Sequence, residues 1–490
     1  VLREECCNKK EEGLELASEI KFGTDGWRAV MCDAFTFANV RLVIQAIADH
    51  VIENDMGDRG VLVGYDARFL SPGFADVAAE VLAANGIPTL ITDRDTPTPV
   101  VAFTVADRSL AGAVMFTASH NPPEYNGVKW IPHYAGPADP EITRDIEGHI
   151  ARRAKAESAP RKMPIAEAMK SGIVKQHDPS GKYISHIQSL VDLSAIAKSR
   201  TKIVCDPLFS TGRGYIDRIL KEAGCDVETI HAHRDPLFGG GSPDPSEGSL
   251  GDLREKVVSS GADLGLATDG DADRFGAIDS DGTYLGANQI IPLLLLHLVR
   301  TRKAQGAVVR TIATTHLIDR IARAHGLDVV ETPVGFKYIC QVMRERSVII
   351  GGEESGGLSI GGHVPEKDGI LANLLLAEFR AVEGRSLGES FSDAMRKYGT
   401  SHTRRVDVKF PDGAKRDALM RRLMERPPIK VAGRRVRDVS TVDGVRFGLD
   451  GGDWFLVRAS GTEPVVRFYA EADSDEGISA LLGELNALLG

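Results

Sequence analysis

A strand, a loop, a helix closed by glycine and a second strand recur three times along this chain. That recurrence constrains the fold more than any other feature. The first copy runs Val61-Leu-Val-Gly-Tyr65 and then the loop Asp66 to Leu70, with Ser71-Pro72 reading as an N-cap and a proline at N1. Its helix is expected to reach Asn85, with Gly86 as a left-handed stop and Ile87 to Thr92 as the next strand. The second copy is Lys202 to Cys205, the loop Asp206 to Gly212, a helix to Ala223, Gly224, and Asp226 to Ile230. The third is Ala307 to Thr311, Thr314-Thr315, a helix to His325, Gly326, and Leu327 to Val330. Strand, helix and strand at this spacing imply right-handed crossovers and parallel sheet. The copies start at residues 61, 202 and 307, too far apart for a solenoid, so three related α/β domains are expected.

The last ninety or so residues break the pattern. Arg404 to Phe410, Ile429 to Val436, Trp454 to Val457 and Val465 to Tyr469 read as strands, and Glu476 to Leu489 as a closing helix. This is a smaller α+β domain with helices on one face of an antiparallel sheet. Ala151 to Lys175 reads as helix around a domain boundary. Length alone, at 490 residues, suggests roughly three domains. The patterns divide the chain into four: 1–178, 179–288, 289–398 and 399–490.

A net charge of −10 argues against nucleic acid or an anionic membrane as partner. Six scattered cysteines, without C-x-x-C pairs, read as reduced thiols of a cytoplasmic protein. The first twenty residues lack an apolar h-region and do not read as a signal peptide. The longest apolar run, Ile290 to Val299, is too short to span a bilayer and reads as a buried helix.

Chemistry concentrates in short segments. Thr117-Ala-Ser-His-Asn-Pro-Pro123 follows the strand Ala113 to Phe116. Ser119 is therefore expected just past a strand's C-terminal end, where open α/β sheets bind ligands. No G-x-S-x-G elbow surrounds it, which disfavours a hydrolase nucleophile. A Ser-Asn-Pro turn that caps its own backbone fits the same letters. Asp269, Asp271 and Asp273 lie between strands read at Ala262 to Ala267 and Phe275 to Ile278. Carboxylates on alternate residues of a tight loop can converge on one hard cation, as Mg²⁺ prefers. The alternative, a solvated acidic turn, leaves three carboxylates repelling one another. Arg274 and Ser280 stand where an EF-hand needs glycine and glutamate.

Lys129 can serve as general acid or base if neighbours depress its pKa, although a lone lysine reads first as solvent-exposed. In Gly351-Gly-Glu-Glu-Ser-Gly-Gly357, Glu353 and Ser355 alternate along what reads as an extended segment, so both can face one pocket and bind sugar hydroxyls. Lys337 and Lys367 can add cations for a phosphate. Arg458-Ala-Ser-Gly-Thr462 with Arg467 offers a forked guanidinium, two hydroxyls and free backbone N–H groups, a good phosphate clamp. A capped hairpin turn is the alternative there. In Phe22-Gly-Thr-Asp-Gly-Trp-Arg28, Arg28 can reach an anion, but a plain surface turn reads better from that segment alone.

Five segments in order then carry a resemblance: Gly23-Thr-Asp-Gly26 with Arg28, Thr117 to Pro122, Asp269 to Arg274, Gly352-Glu-Glu-Ser-Gly356, and Arg458 to Thr462. Together they resemble the α-D-phosphohexomutases, which include phosphoglucomutase and phosphomannomutase, from Phe22 to about Ala472. The resemblance implies four domains around a central cleft. Ser119 would be the phosphoserine, and Asp269, Asp271 and Asp273 with its phosphate would hold Mg²⁺. Lys129 would be a candidate proton carrier with His120 close by, and His120, Arg28 and Arg274 would join the catalytic set. Glu353 and Ser355 would bind sugar hydroxyls. Arg458, Ser460, Gly461 and Thr462 would grip the distal phosphate.

The implied reaction passes a phosphoryl group from serine to a hexose monophosphate and back from the other end of the bisphosphate. Hexose 1,6-bisphosphate would be an activator. The expected partners are a hexose phosphate substrate, no nucleic acid and no membrane, for a monomer or homodimer. Glu353-Glu354-Ser355 and His363-Val-Pro-Glu-Lys-Asp-Gly369 look most like phosphoglucomutases. Gly357 stands where many dual-specificity relatives carry histidine, and Arg310 where some carry lysine. Glucose 1-phosphate is therefore the expected substrate, with phosphomannomutase or dual specificity as the alternative. The loop disfavours phosphoglucosamine mutase. A catalytically inactive sugar-phosphate-binding protein would show a lost serine or a broken acidic loop, and neither is seen. A Mg²⁺-dependent phosphatase working through a phosphoserine is a third reading.

Overall fold

The structure is a computed structural model that describes residues 20–23, 25–156, 158–410, 413–459 and 465–489, with side chains to 484 in the last helix. The first sheet comprises β1 (Trp27–Val30), β2 (Val61–Tyr65), β3 (Thr89–Thr92), β4 (Gly112–Phe116), β5 (Tyr125–Pro132) and β6 (Val174–His177). Their order is β1-β5-β4-β2-β3-β6. β4, β2, β3 and β6 run parallel, while β5 returns antiparallel to β4 and β1. The second sheet comprises β7 (Lys202–Asp206), β8 (Asp226–Thr229), β9 (Leu264–Thr268), β10 (Phe275–Asp279) and β11 (Tyr284–Leu285), in the order β11-β10-β9-β7-β8. Again the repeated strands run parallel and β10 returns antiparallel to β9. A third sheet sets β12 (Ala307–Thr311) between β13 (Val329–Thr332) and β14 (Val348–Gly352), all parallel. β15 (Leu358–Ile360) follows.

Burial explains the sequence pattern of these strands. β4, β9, β12 and β14 are buried at every position, so apart from the ion-paired Arg310 on β12 they read as runs of small and apolar residues rather than as alternation. Gly86, Gly224 and Gly326 take φ of 77°, 92° and 67°, as the three helix stops require. The helix Ser71–Ala84 lays Phe74, Ala78, Val81 and Leu82 on the first core. The apolar run 290–299 lies in the buried helix Ala287–Arg302.

The repeats place the chemistry. In each copy the strand after the strand–helix–strand unit pairs parallel with its first strand: β4 with β2, β9 with β7, β14 with β12. A singled-out segment follows each at once, residues 117–123, 269–274 and 353–356 in turn. Three separate motifs thus occupy one position of one repeated plan.

The C-terminal sheet is β16 (His402–Lys409), β17 (Lys430–Val431), β18 (Arg434–Ser440), β19 (Val445–Leu449), β20 (Trp454–Ala459) and β21 (Val465–Ala472), in the order β16-β21-β20-β19-β18-β17. It is antiparallel throughout. Helices Gly413–Glu425 and Asp475–Leu489 pack Leu419, Leu423, Ile478 and Leu481 on one face, with Val457, Val466 and Phe468 beneath. The α/β and α+β architecture is thus the expected one.

Several local readings need correction. Ser71 is the first helical residue, not the cap; Leu70 takes that place at φ 62°. The Ser71 hydroxyl instead donates to buried Asp66 at 3.0 Å. The stretch 151–175 is not one helix. Helix Pro140–Lys155 ends, Ile165–Ser171 follows, Gly172 stops it at φ 80°, and β6 extends the first sheet beside β3. The strand read at 429–436 turns at Ala432-Gly433, both at positive φ, and becomes β17 and β18. β19 and helix Gly413–Glu425 were not anticipated.

The chain divides into two compact units, Val1–Leu285 with Gly357–Gly384, and Gly286–Gly356 with Arg385–Gly490. Among the described residues no helix is long and apolar enough to cross a membrane. Cys32, Cys205, Cys225 and Cys340 are free thiols.

Candidate functional site

In the first unit, Ser119 lies on the turn between β4 and β5. It takes φ 51°, in the left-handed region that costs a residue with a Cβ. Its N–H donates to Thr117 Oγ1 at 2.8 Å, and its carbonyl accepts from Arg68 Nη2 at 2.7 Å. The hydroxyl is almost fully enclosed and donates to Asp269 Oδ2 at 2.7 Å. The two loops touch directly: a Cβ on Gly270 would run into the Ser119 carbonyl.

Asp269, Asp271 and Asp273 are buried, with one oxygen from each lying within 4.8 Å of the others. Lys129 Nζ sits 2.9 Å from Asp271, Asp273 and Asp25 alike. Lys367 Nζ sits 3.0 Å from Asp25 and 3.1 Å from Asp273. Thr98 donates its hydroxyl to Asp271 Oδ2 at 2.6 Å and its N–H to the Asp271 carbonyl. The helix Gly369–Glu383 closes the back of the loop. Gly369 N–H donates to the Ala272 carbonyl at 3.1 Å, and a side chain on Gly369 would strike the Arg274 carbonyl.

Carboxylates are crowded in this cluster: Asp25, Asp269, Asp271 and Asp273 surround two ammonium groups, with Arg274 Nε 4.0 Å from Asp273. Burial and repulsion from Asp271 and Asp273 push the Asp269 carboxyl well above the usual range. Burial also acts on Asp271, but Lys129, the Thr98 hydroxyl and Lys367 overcome it and hold that carboxyl low. Asp25 is likewise held well down by Lys129, Lys367 and Arg28 against its burial. Asp271 Oδ1 and Asp273 Oδ1 are buried and make no hydrogen bond among the described residues. Two buried carboxylate oxygens without hydrogen bonds and an all-oxygen donor set fit a hard divalent cation.

The remaining residues selected from the sequence in this unit surround the same point. His120 Nδ1 is 3.5 Å from Ser119 Oγ. Burial, then Arg274 and Arg28, drive its pKa well below the ordinary histidine value, so the ring is neutral. Arg28 on β1 donates to Asn121 Oδ1 at 2.8 Å, and Gly26 packs against the Val128 carbonyl, so this segment is not a plain surface turn. Lys129 is buried on β5 rather than exposed. Burial lowers its pKa, but Asp25, Asp271 and Asp273 win and raise it well above the ordinary lysine value, the opposite of what a proton carrier needs. Lys367, read with the sugar loop, lies instead in the acidic cluster.

Sequence reading missed Asp25, Asp66, Arg68, Thr98 and Glu366. Asp25 lies inside Gly23-Thr-Asp-Gly26, and an acid three residues before Arg28 is the available signal. Asp66 and Arg68 stand singly in a loop, Thr98 at a helix start and Glu366 beside a lysine, where nothing in the local pattern marks them. Burial raises the Glu366 carboxyl to about 8.

In the second unit, Glu353 and Ser355 lie in a turn, not an extended segment: Gly356 N–H donates back to the Glu353 carbonyl at 3.1 Å, with φ 93° at Gly356. They still meet, Ser355 Oγ donating to Glu353 Oε1 at 2.8 Å. Lys337 opens the helix Phe336–Glu345, its Nζ 5.4 Å from the Tyr338 ring centre. Arg458 on β20 stands opposite Arg467 on β21. Arg458 Nε donates to Asp443 at 2.8 Å, and Arg467 is 3.5 Å from Asp407. Ser460, Gly461 and Thr462 lie outside the described residues. Arg310 is buried and holds Asp319 at 2.6 Å and Glu331 at 2.8 Å.

Comparison with known proteins gives the same pattern along the chain. Family models described as phosphoglucomutase/phosphomannomutase match α/β/α domain I at residues 19–157, domain II at 181–282, domain III at 286–398 and the C-terminal domain at 406–488. A phosphoglucomutase/phosphomannomutase of Thermococcus kodakarensis is 31% identical, the match covering 93% of this chain and 95% of that one. A phosphoglucosamine/phosphogalactosamine mutase of Sulfurisphaera tokodaii is also 31% identical, over 96% and 98%. The crystal structure of a candidate phosphomannomutase from Thermus thermophilus superposes with a TM-score of 0.82 at 33% identity, covering 96% of this chain and 99% of that one.

Proposed function

Because this chain belongs to the phosphoglucomutase/phosphomannomutase family, and so is an isomerase of the phosphohexomutase kind, we propose that it interconverts glucose 1-phosphate and glucose 6-phosphate. A phosphoserine at Ser119 and a bound hexose 1,6-bisphosphate would carry the reaction. The observation that supports this most is the Ser119 hydroxyl, 2.7 Å from Asp269 inside a buried cluster of three carboxylates that could hold a metal ion.

In the forward step the P–O bond to Ser119 breaks, the oxygen stays on the serine, and a new P–O bond forms to a substrate hydroxyl. His120, neutral and with Nδ1 3.5 Å from Ser119 Oγ, takes that hydroxyl's proton and returns one to the serine oxygen as it leaves phosphorus. Lys129 keeps its charge and, with Lys367, holds Asp25, Asp271 and Asp273 in place. Mg²⁺ bound by Asp269, Asp271 and Asp273 would supply charge neutralisation to the phosphoryl group. Arg28 and Arg274 would add positive charge to the same group. Transfer of this kind depends on positioning and electrostatics more than on covalent chemistry, and the enclosure of Ser119 keeps water from the phosphoserine.

Glu353 and Ser355 would read the sugar hydroxyls, while Arg458, Ser460, Gly461, Thr462 and Arg467, with Lys337, would hold the distal phosphate. A generic arginine and backbone clamp suits a bisphosphate that must be held by either end. In the four-part division at 178, 288 and 398, Ser119, the three aspartates, the Glu353–Ser355 pair and the Arg458–Thr462 clamp fall one to each part, with Lys337 and Lys367 in the third. The Glu-Glu-Ser form of the sugar loop supports glucose. Relatives named for mannose and amino-sugar phosphates keep a wider specificity as the second reading.

The test is turnover of glucose 1-phosphate with Mg²⁺ and a trace of glucose 1,6-bisphosphate, beside mannose 1-phosphate and glucosamine 1-phosphate. Fastest turnover of the glucose ester is expected. A faster amino-sugar ester would overturn the substrate assignment. Release of free phosphate without isomer would overturn the mutase reading in favour of a phosphatase.

A further inference from the structure

Arg68 belongs to none of the five motifs, yet its guanidinium reaches through the turn that carries Ser119. The side chain is fully buried. Nη2 donates to the carbonyls of Ser119 at 2.7 Å and Asn121 at 2.6 Å. Nη1 donates to those of Pro122 at 2.7 Å and Tyr125 at 3.0 Å. Nε donates to Asp66 Oδ2 at 3.1 Å, and the Phe238 ring lies 5.0 Å from the guanidinium carbon. Asp66 is fixed in its turn: it accepts from the Arg68 N–H and from Ser71 Oγ, both at 3.0 Å, and its own N–H donates to the Phe116 carbonyl.

This arrangement solves a specific problem. The turn at residues 119–125 directs four carbonyls inward, where each needs a donor. It also holds Ser119 at φ 51°, a conformation that persists only where surrounding structure enforces it. One planar fork with five N–H groups can serve several carbonyls at once; an ammonium group, with three donors on one atom, cannot span them. From the other side Gly270 presses on the same Ser119 carbonyl. The serine backbone is therefore clamped between Arg68 and the acidic loop, and the clamp sets where Oγ points.

We infer that Arg68 is a positioning residue for Ser119, acting on the phosphoryl-transfer step through the turn and without touching substrate. This rests on Ser119 being the phosphoryl carrier proposed above. Its loss should lower kcat and leave substrate binding nearly intact, whereas a purely architectural role would change stability alone.

The experiment compares Arg68→Lys and Gly270→Ala with the parent protein. Each receives steady-state kinetics on glucose 1-phosphate, intact-mass measurement of Ser119 phosphorylation by glucose 1,6-bisphosphate, and amide hydrogen exchange over residues 118–125. Arg68→Lys should lose about 100-fold or more in kcat, the scale of a misplaced reacting group. KM should stay within about threefold, as for an interaction that acts on the transition state alone. Exchange across the turn should quicken. Gly270→Ala moves the same carbonyl with Arg68 intact, should show the same split, and keeps the test open if Arg68→Lys fails to fold. A folded variant that keeps its kcat, or whose loss lies in KM alone, would overturn the inference. If the parent protein puts no phosphoryl group on Ser119, the proposed function fails. The exchange experiment then still decides the clamp, since an unchanged rate in Arg68→Lys overturns it.

Discussion

Replacing Lys129 with methionine should unfold the first unit at markedly lower temperature, and Mg²⁺ should restore part of the loss. Lys129 Nζ makes three ion pairs of 2.9 Å, with Asp25, Asp271 and Asp273. At an effective dielectric of about 20, each contact is worth about 6 kcal/mol of Coulomb attraction before desolvation. Desolvating the lysine offsets most of that sum, and breaking a buried pair from one side costs about 3–5 kcal/mol net, because the partner charges remain buried. At roughly 2–4 °C per kcal/mol, the midpoint should fall by about 6–20 °C. Methionine has nearly the same length and shape, so packing contributes little. The assay is differential scanning calorimetry of parent and variant with EDTA and with saturating Mg²⁺. The variant should gain more from Mg²⁺ than the parent, since its Asp271 and Asp273 lack the lysine. A loss below about 1 kcal/mol would mean that the pairs are solvated, as for surface pairs, and would refute the reasoning. An equal response to Mg²⁺ would separate the lysine from the proposed metal.

Ser119→Ala should lose nearly all mutase activity while binding glucose 1-phosphate by calorimetry as the parent does; an unaltered rate would remove the serine from the chemistry. Asp271→Asn should raise the Mg²⁺ concentration needed for half-maximal activity by about tenfold or more, since ligand-shell changes have that scale. His231 should give stability a pH dependence. Its hydrogen bond to Asp206, 3.0 Å long, raises its pKa in the folded protein above the unfolded value of about 6.5. The contribution is then fully present below the unfolded value and lost as pH rises through the folded one. His231→Gln should accordingly cost about 1 kcal/mol near pH 5.5 and almost nothing near pH 9, read by urea denaturation.

Much of this was legible in the sequence because it is local. Strand, helix, stop glycine and strand are each written in contiguous residues, and the glycines at 86, 224 and 326 need positive φ for a reason that any helix end shares. The acidic loop was legible for the same reason, since three carboxylates in five residues admit few uses. The failures were non-local. Lys129 on β5 looks exposed when read alone, and only the arrival of Asp25 and two aspartates about 140 residues away buries it. Lys367 reads as a substrate group because its neighbours in sequence suggest one, whereas its partners in space are Asp25 and Asp273. Ser71 has every mark of a helix cap, but the buried Asp66 carboxylate claims its hydroxyl. Arg68 carries no signal beyond being an arginine in a loop. Its meaning comes from four carbonyls supplied by a turn about fifty residues away.

The central claim is that Ser119 carries the phosphoryl group between the two ends of a hexose. Its most direct test uses glucose 1,6-bisphosphate labelled with ³²P on both phosphates. The enzyme is incubated with it, separated from excess, and chased with unlabelled glucose 1-phosphate. Peptide mapping should place the label on the peptide containing Ser119 before the chase, and the chase should move it into glucose bisphosphate and glucose 6-phosphate. Label on another residue, or label leaving only as free phosphate, would contradict the account.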